Sequence, residues 1–202
     1  MKTINADSFI VLPEMKSKSF ELVLTDPPYD FTKEQMGSLH SELLRVANTV
    51  IVFCPPENPW TGSPDQILFW IKPISTKNTT RRYSRFVEQI YIYQTQSSKW
   101  NSNRHWSNYT NVFTDTIVEK VYHPFIKPSS LLERLILNHT DPKDAILDPF
   151  AGSGSVHLAA TRLDRKCTSI ELDKENYKVM QERLDVSTIW NILYKGYTYP
   201  QS

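Results

Sequence analysis

Several short apolar runs in this chain end abruptly at residues that cannot continue a strand, and segments of helical spacing lie between them. Phe20 to Thr25 stops at Asp26-Pro27-Pro28, and Val50 to Phe53 stops at Pro55-Pro56. Ala145-Ile146-Leu147 runs into Asp148-Pro149-Phe150-Ala151-Gly152-Ser153-Gly154, and Cys167 to Ile170 ends at Glu171. Proline lacks an amide donor and fixes φ, so it breaks a strand where it falls. Glu34 to Asn48 carries Leu39, Leu43, Leu44 and Ala47 at helical spacing, and Val156 to Leu163 and Asn176 to Leu184 predict further helices. Ser130 and Glu133 have the spacing of a capping box, which predicts a helix over Leu131 to His139. Ile67 to Ile71 and Val87 to Tyr93 are two more strands, flanking the polar, basic stretch Lys77 to Arg85. Strands alternating with helices predict an α/β fold, a mostly parallel, doubly wound sheet with helices on both faces. Residues 94–122 and the tail after Asp185 show no clear period.

Composition narrows the class of protein. At 202 residues, the length suits one domain over 1–202 with 94–122 as a short insert, and its 40% hydrophobic residues suffice for a core without disulfides. A formal charge of +1 does not advertise nucleic-acid binding, yet leaves room for a local basic face. No run approaches the ~18 apolar residues of a membrane span. The start Met1 to Asp7 lacks a secretory apolar segment, so the expected location is cytoplasmic with no membrane partner. Cys54 and Cys167 each sit in an apolar, strand-like run, which predicts buried thiols rather than a disulfide or a zinc site, and no metal.

Two loops carry chemistry. Glycines at a strand–turn–helix junction let backbone amides approach a ligand at the positive end of the helix. Here His157 takes the place of the third glycine of a dinucleotide fingerprint, and no Lys-Ser or Lys-Thr follows to grip phosphates. Glu171 stands about twenty residues downstream, where a carboxylate can hold ribose hydroxyls. The pair suggests an adenosine-containing ligand without a pyrophosphate, although a plain α/β turn with a solvated Glu also fits it. In the second loop, Thr25-Asp26-Pro27-Pro28-Tyr29-Asp30, two prolines stiffen the backbone and leave carbonyl oxygens free as acceptors. Asp26 adds a carboxylate and Tyr29 a flat face with a polar tip. Such a corner suits a planar group bearing an amine; the alternative is a rigid turn with a core tyrosine.

With these residues in view the chain resembles a family. Asp26-Pro27-Pro28-Tyr29 is similar to the catalytic signature of the S-adenosylmethionine-dependent DNA amino-methyltransferases, and Asp148 to Gly154 to their cofactor-binding signature. The order, catalytic loop first and cofactor loop second, resembles the permuted beta class, as do Lys127-Pro128-Ser129 and Ile170-Glu171-Leu172-Asp173. The similarity covers roughly Ile4 to Phe53 and His123 to Leu184. It implies a Rossmann-like, class I methyltransferase fold in permuted form.

The resemblance also implies roles. Phe150, Ala151, Gly152, Ser153 and Gly154, following Asp148, would wrap the methionine portion of S-adenosylmethionine, with Phe150 near the sulfonium. Glu171, followed by Leu172, would take the ribose hydroxyls, Asp7 the adenine edge, and Lys127 and Ser129 the cofactor carboxylate. Asp7 equally suits a helix cap. Asp26 and the Pro27 carbonyl, stiffened by Pro28, would accept the N–H groups of an exocyclic amine, with the extruded base stacked on Tyr29. Neither a metal nor a covalent intermediate is required, and Cys54, which precedes its prolines, does not match the nucleophile of ring-carbon methylases.

Asp at the head of the tetrapeptide favours the N6 amine of adenine, with the N4 amine of cytosine as the alternative. Lys77, Arg81, Arg82 and Arg85 would hold the phosphates of double-stranded DNA. Arg104, with Trp100, Asn101, Asn103, His105, Trp106 and Tyr109, would read the target within the 94–122 insert, unless this is a solvated loop over packed aromatics. The tail's Trp190, Tyr194, Tyr197 and Tyr199 either pack on the domain or form a homodimer contact. Competing readings are methylation of RNA or a protein amide, and a catalytically silent DNA- or cofactor-binding subunit.

Overall fold

The structure, a computed structural model, describes residues 1–72, 86–114 and 127–193, with 187–193 as backbone only. The strands are β1 (Lys2–Asn5), β2 (Phe20–Thr25), β3 (Ala47–Cys54), β4 (Gln66–Ile71), β5 (Val87–Gln94), β6 (Val112–Phe113), β7 (Ala145–Asp148) and β8 (Lys166–Glu171). The helices are α1 (Ser8–Val11), α2 (Lys33–Val46), α3 (Ser129–His139), α4 (Ser155–Arg162) and α5 (Lys174–Leu193). All eight strands form one sheet in the order β1-β8-β7-β2-β3-β5-β4-β6. Every pairing is parallel except those of β5, which runs against both β3 and β4. The expected doubly wound, mostly parallel α/β architecture is the one observed.

Strand alternation divides the core into two layers. Leu22 and Leu24 of β2, Ile51 and Phe53 of β3, and Ile90 and Ile92 of β5 face one side, where they meet Leu131, Leu132, Leu135 and Ile136 of α3 and Val156 and Ala159 of α4. Val23, Val50, Val52, Tyr91 and Tyr93 face the other, under Leu39, Leu43 and Val46 of α2. Period-2 alternation on strands buried from both sides requires this partition. The α5 helix lies over the β1–β8 end, where Gln181 Nε2 donates to Thr3 Oγ1 at 2.7 Å.

Four local expectations are corrected. The α2 helix ends at Val46, and Ala47 and Asn48 begin β3, because the run Thr49 to Phe53 extends strand pairing back to Phe20↔Ala47. A capping box does form in α2, between Thr32 and Gln35. None forms in α3: the helix starts at Ser129 without a side-chain cap, and Glu133 pairs with Arg162 at 3.6 Å. Past Asp185 the chain stays helical to Leu193, and the 94–122 stretch holds a 3₁₀ turn at Trp106–Tyr109 and the short β6. The side chains of Trp190, Tyr194, Tyr197 and Tyr199 lie outside the described residues.

Candidate active site

In an open α/β sheet, ligands bind beyond the carboxyl ends of strands where the winding direction reverses. Here that point lies between β2 and β7: the sheet proceeds from β2 to β3 on one side and from β7 to β8 on the other. Leu22↔Ile146 and Val23↔Leu147 set the two strands in register, so the loops after Thr25 and Asp148 leave the sheet side by side. The Thr25 hydroxyl donates to Asp148 Oδ1 at 2.9 Å, a buried bond joining the loops at their roots. Asp148 is 2% exposed, and burial pushes its carboxyl up to about 7. Ser8 Oγ donates to the Pro149 carbonyl and fastens α1 to the same edge.

On the β2 side stands an acidic corner with more members than the tetrapeptide. Asp26 Oδ2 receives Lys127 Nζ at 2.7 Å, and Asp26 Oδ1 lies 2.6 Å from the Tyr29 hydroxyl. The same hydroxyl lies 2.5 Å from Glu88 Oε1, which also receives Lys127 Nζ at 2.6 Å. Lys72 Nζ closes on Glu88 Oε2 at 3.0 Å. Lys127 rests over the rings of Phe53 and Trp70, with its Nζ 4.8 and 5.6 Å from their centroids. Asn58 Nδ2 donates to the Tyr29 carbonyl at 2.7 Å, holding the loop, while Tyr29 remains 43% exposed.

Alternation explains why these groups meet. Asp26 continues the Leu22-Leu24 face, Lys72 the Trp70 face, and Glu88 the Ile90-Ile92 face, all on the side covered by α3, which Lys127 precedes. Because β5 is reversed, its amino-terminal Glu88 arrives at the edge where β2, β3 and β4 have their carboxyl ends. Burial opposes the charge on Glu88, but Lys127 and Lys72 outweigh it and hold the carboxyl down to about 2. Burial likewise opposes Lys127, and Asp26 and Glu88 overcome it, so the ammonium stays charged. Asp26 moves upward, through burial first and the Glu88 charge second, against the pull of Lys127. Burial and both carboxylates push the Tyr29 phenol far up, so it remains a neutral donor.

On the β7 side is the glycine loop. Gly152 has φ +50° and nothing within 4 Å of where a Cβ would stand, so that side of the turn is open. Gly154 has φ +81°, and a Cβ there would come 2.6 Å from Met180 Cγ, so the loop is seated on α5. Arg183 NH1 donates to the Ser153 carbonyl at 2.6 Å and to its hydroxyl at 2.8 Å. Ala151 is buried and its amide donates to the Ile170 carbonyl at 2.9 Å. Glu171 Oε2 receives the Gly152 amide at 2.7 Å and Oε1 the Asp173 amide at 2.8 Å. Each oxygen keeps a further lone pair for a ligand hydroxyl. Leu172 beside it is 65% exposed. Phe150, Phe31 and Phe9 form an edge-to-face series with centroids 5.7 and 5.5 Å apart.

Most expected site residues converge on this crevice. Asp7 follows Asn5, which pairs with Glu171, and it caps α1 by accepting the Phe9 amide at 2.9 Å. Lys127 lies between Asp26 and Glu88 rather than in a separate carboxylate site, and Ser129 Oγ is 3.4 Å from Arg162 NH1. Arg104 is the exception. Its NH1 donates to Asn138 Oδ1 at 3.0 Å, about 14 Å along the α3 axis from Ser129 at 1.5 Å per residue. There Trp100 packs on His139 and Asn101 binds the Leu137 and Thr140 carbonyls, so polar capping of the α3 end holds this part of the insert away from Asp26. Lys77, Arg81, Arg82 and Arg85 lie outside the described residues. Sequence reasoning missed Glu88 and Lys72; the available signal was a lone acid sharing strand parity with Ile90 and Ile92.

A glycine loop and an acidic, aromatic corner at one switch point suit the class of protein that comparison with known proteins defines. The chain belongs to the S-adenosylmethionine-dependent DNA amino-methyltransferases: residues 45–182, more than half of it, match the DNA methylase family N6_N4_Mtase. Among its relatives is the Type II methyltransferase M2.DpnII of Streptococcus pneumoniae, 27% identical over 95% of this chain and 92% of that one. That alignment runs over 250 residues, so the relative carries segments that this 202-residue chain lacks. The crystal structure of an M1.HpyAVI–SAM complex is 26% identical with a TM-score of 0.71, covering 90% of this chain and 98% of that one. The cytosine-N4-specific PvuII DNA methyltransferase shares the fold, with a TM-score of 0.73 at 18% identity over 96% of this chain and 93% of that one. Among the described residues no helix is long and apolar enough to cross a membrane.

Proposed function

We propose that this chain methylates the exocyclic N6 amine of adenine in double-stranded DNA, on a base extruded from the helix. The supporting observation is the Thr25–Asp148 bond, which sets the acidic corner and the glycine loop on adjacent strands of one crevice. The open side of Gly152, the exposed Leu172 and the unfilled acceptor capacity of Glu171 suit the donor's nucleoside and methionine parts. In this reading Phe150 to Gly154 hold the methionine portion, Glu171 the ribose hydroxyls and Asp7 the adenine edge. When bound, S-adenosylmethionine supplies a methyl group made electrophilic by its sulfonium.

The chain's own residues prepare the amine. An exocyclic amine is a poor nucleophile because its lone pair is delocalised into the ring. Asp26 and the Pro27 carbonyl accept its N–H groups and favour the tetrahedral nitrogen, while Tyr29 stacks against the base. A preorganised acceptor in a site that excludes water costs no reorganisation when the bond forms. Asp rather than Ser at the head of the loop supports adenine over cytosine.

The phosphates fall to Lys77, Arg81, Arg82 and Arg85. Lys72 and Phe86, which flank these residues in sequence, both lie at the edge that carries Asp26. Arg104, held on Asn138, lies away from that edge. The test is to incubate the protein with methyl-labelled S-adenosylmethionine and unmodified duplex DNA, then digest and identify the labelled nucleoside. N6-methyladenine is expected. N4-methylcytosine would shift the target base, and label in RNA or protein alone would overturn the reading.

A further inference from the structure

We infer that Glu88 is a positioning residue for methyl transfer: acting through Tyr29 and Lys127, it fixes the orientation of the Asp26 carboxylate without touching base or cofactor. The inference rests on the role proposed for Asp26. Glu88 and Asp26 make no direct bond, yet two donors join them, one at each Asp26 oxygen. Tyr29 spans Asp26 Oδ1 and Glu88 Oε1 at 2.6 and 2.5 Å, and Lys127 spans Asp26 Oδ2 and Glu88 Oε1 at 2.7 and 2.6 Å. The result is a closed ring of four side chains, anchored from behind by Lys72 on Glu88 Oε2 at 3.0 Å.

A carboxylate with one fixed partner can still rotate about χ2; one held at both oxygens cannot. Glu88 itself is 2% exposed on the face it shares with Ile90 and Ile92. Packing alone would be served better there by an apolar residue, since burying a charge carries a desolvation penalty that its partners must compensate. Its charge has a use in the ring. With Glu88 present, two ammoniums face two carboxylates. Without it, Lys127 closes on Asp26 alone, drawing charge from the oxygens that should accept the amine, and the single Tyr29 proton is no longer shared between two carboxylates. A misplacement of this order in a reacting geometry costs up to about 10²-fold in rate.

The ionisable groups around Asp26 among the described residues are Tyr29, Glu88 and Lys127, with Lys72 behind Glu88, Cys54 on β3 and Asp148 on β7. Removing the Glu88 charge eases ionisation of Asp26, both directly and by leaving it the undivided Lys127. The acid limb of the kcat profile therefore moves to lower pH in Glu88→Gln and stays in place in Glu88→Asp.

The experiment measures kcat, KM for duplex DNA, cofactor Kd and the pH profile for Glu88→Gln, Glu88→Asp, Tyr29→Phe, Asp26→Asn and the Glu88→Gln/Tyr29→Phe double variant. Expected for Glu88→Gln is a kcat lower by about 10- to 100-fold, cofactor Kd within threefold, and the shifted acid limb. Because Glu88 acts through Tyr29, the double variant loses less than the product of the single losses. Should Glu88→Gln fail to fold, Glu88→Asp against Tyr29→Phe decides: a kcat-specific loss in both supports the ring. Wild-type kcat and profile in Glu88→Gln would overturn the inference, as would parallel loss of folding and cofactor binding in both Glu88 variants. Full activity in Asp26→Asn would instead remove the role of Asp26 itself.

Discussion

The Thr25 hydroxyl and the Asp148 carboxylate meet at 2.9 Å across the seam between β2 and β7. Oδ1 of the same Asp148 also receives the Phe150 amide at 3.2 Å. One buried side chain thus sets both the departure of the Asp26 loop and the first turn of the glycine loop. It holds them in fixed relation before either ligand arrives, which is what a direct transfer between two bound molecules needs.

That carboxyl has a measurable signature. Burial pushes Asp148 up to about 7, against about 3.9 in an unfolded chain. Between those values the folded state binds more protons than the unfolded state. The stability contributed by Asp148 is therefore complete below about pH 4 and is lost as pH rises through about 7. Burial lowers His157 and His139 to about 4, which acts in the opposite sense as pH rises from about 4 to about 6.5. The difference between Asp148→Asn and wild type isolates the carboxyl. In urea unfolding, the variant should gain relative stability with rising pH up to about 7, by roughly 1–4 kcal/mol in all, then level off. A pH-independent difference would contradict the burial argument.

The two loop glycines should fail differently. Gly154→Ala combines a left-handed backbone at φ +81° with a 2.6 Å approach to Met180 Cγ, so its main cost is stability, about 1–3 kcal/mol. Gly152→Ala places its methyl in open space, where the proposed reading seats the cofactor. Its stability loss should be about 1 kcal/mol, with cofactor affinity falling at least tenfold. Thermal unfolding and calorimetry on both variants separate the effects, and equal affinity losses at matched stability would refute the distinction.

Cys54 is 2% exposed, and burial pushes its thiol up to about 11. A thiol so held is neither accessible nor ionised, so it supplies no nucleophile. Cys54→Ala should retain kcat within about threefold, with a modest loss of stability from the small cavity. Loss of turnover with the fold intact would reopen covalent chemistry.

The loops after β2 and β7 were legible because their signals are local: an apolar run, a proline or glycine break, and an acid at a fixed offset. The ring around Asp26 was not, because it depends on which strand is reversed. Nothing local to Val87 to Tyr93 states that β5 runs antiparallel, and only that brings Glu88 to the same edge as Asp26. Lys127 was noticed in sequence, but its place between two acids required α3 to pack on the Phe53 and Trp70 face. Ser130 and Glu133 matched a capping pattern, yet Arg162 from α4 takes Glu133, a tertiary competitor invisible in the local spacing. Arg104 looked suited to reading the target by its polar and aromatic neighbours in sequence; its position is set by Asn138, thirty-four residues away in the chain.

The central claim is that Asp26 prepares the amine in the same crevice where the glycine loop holds the methyl donor. Its most direct measurement pairs two readouts on Asp26→Ala: calorimetric binding of S-adenosylmethionine and transfer of its labelled methyl group to duplex DNA. The claim predicts cofactor affinity within a few-fold of wild type and transfer reduced by at least 10³-fold. Transfer at near wild-type rate, or loss of cofactor binding together with transfer, would contradict it.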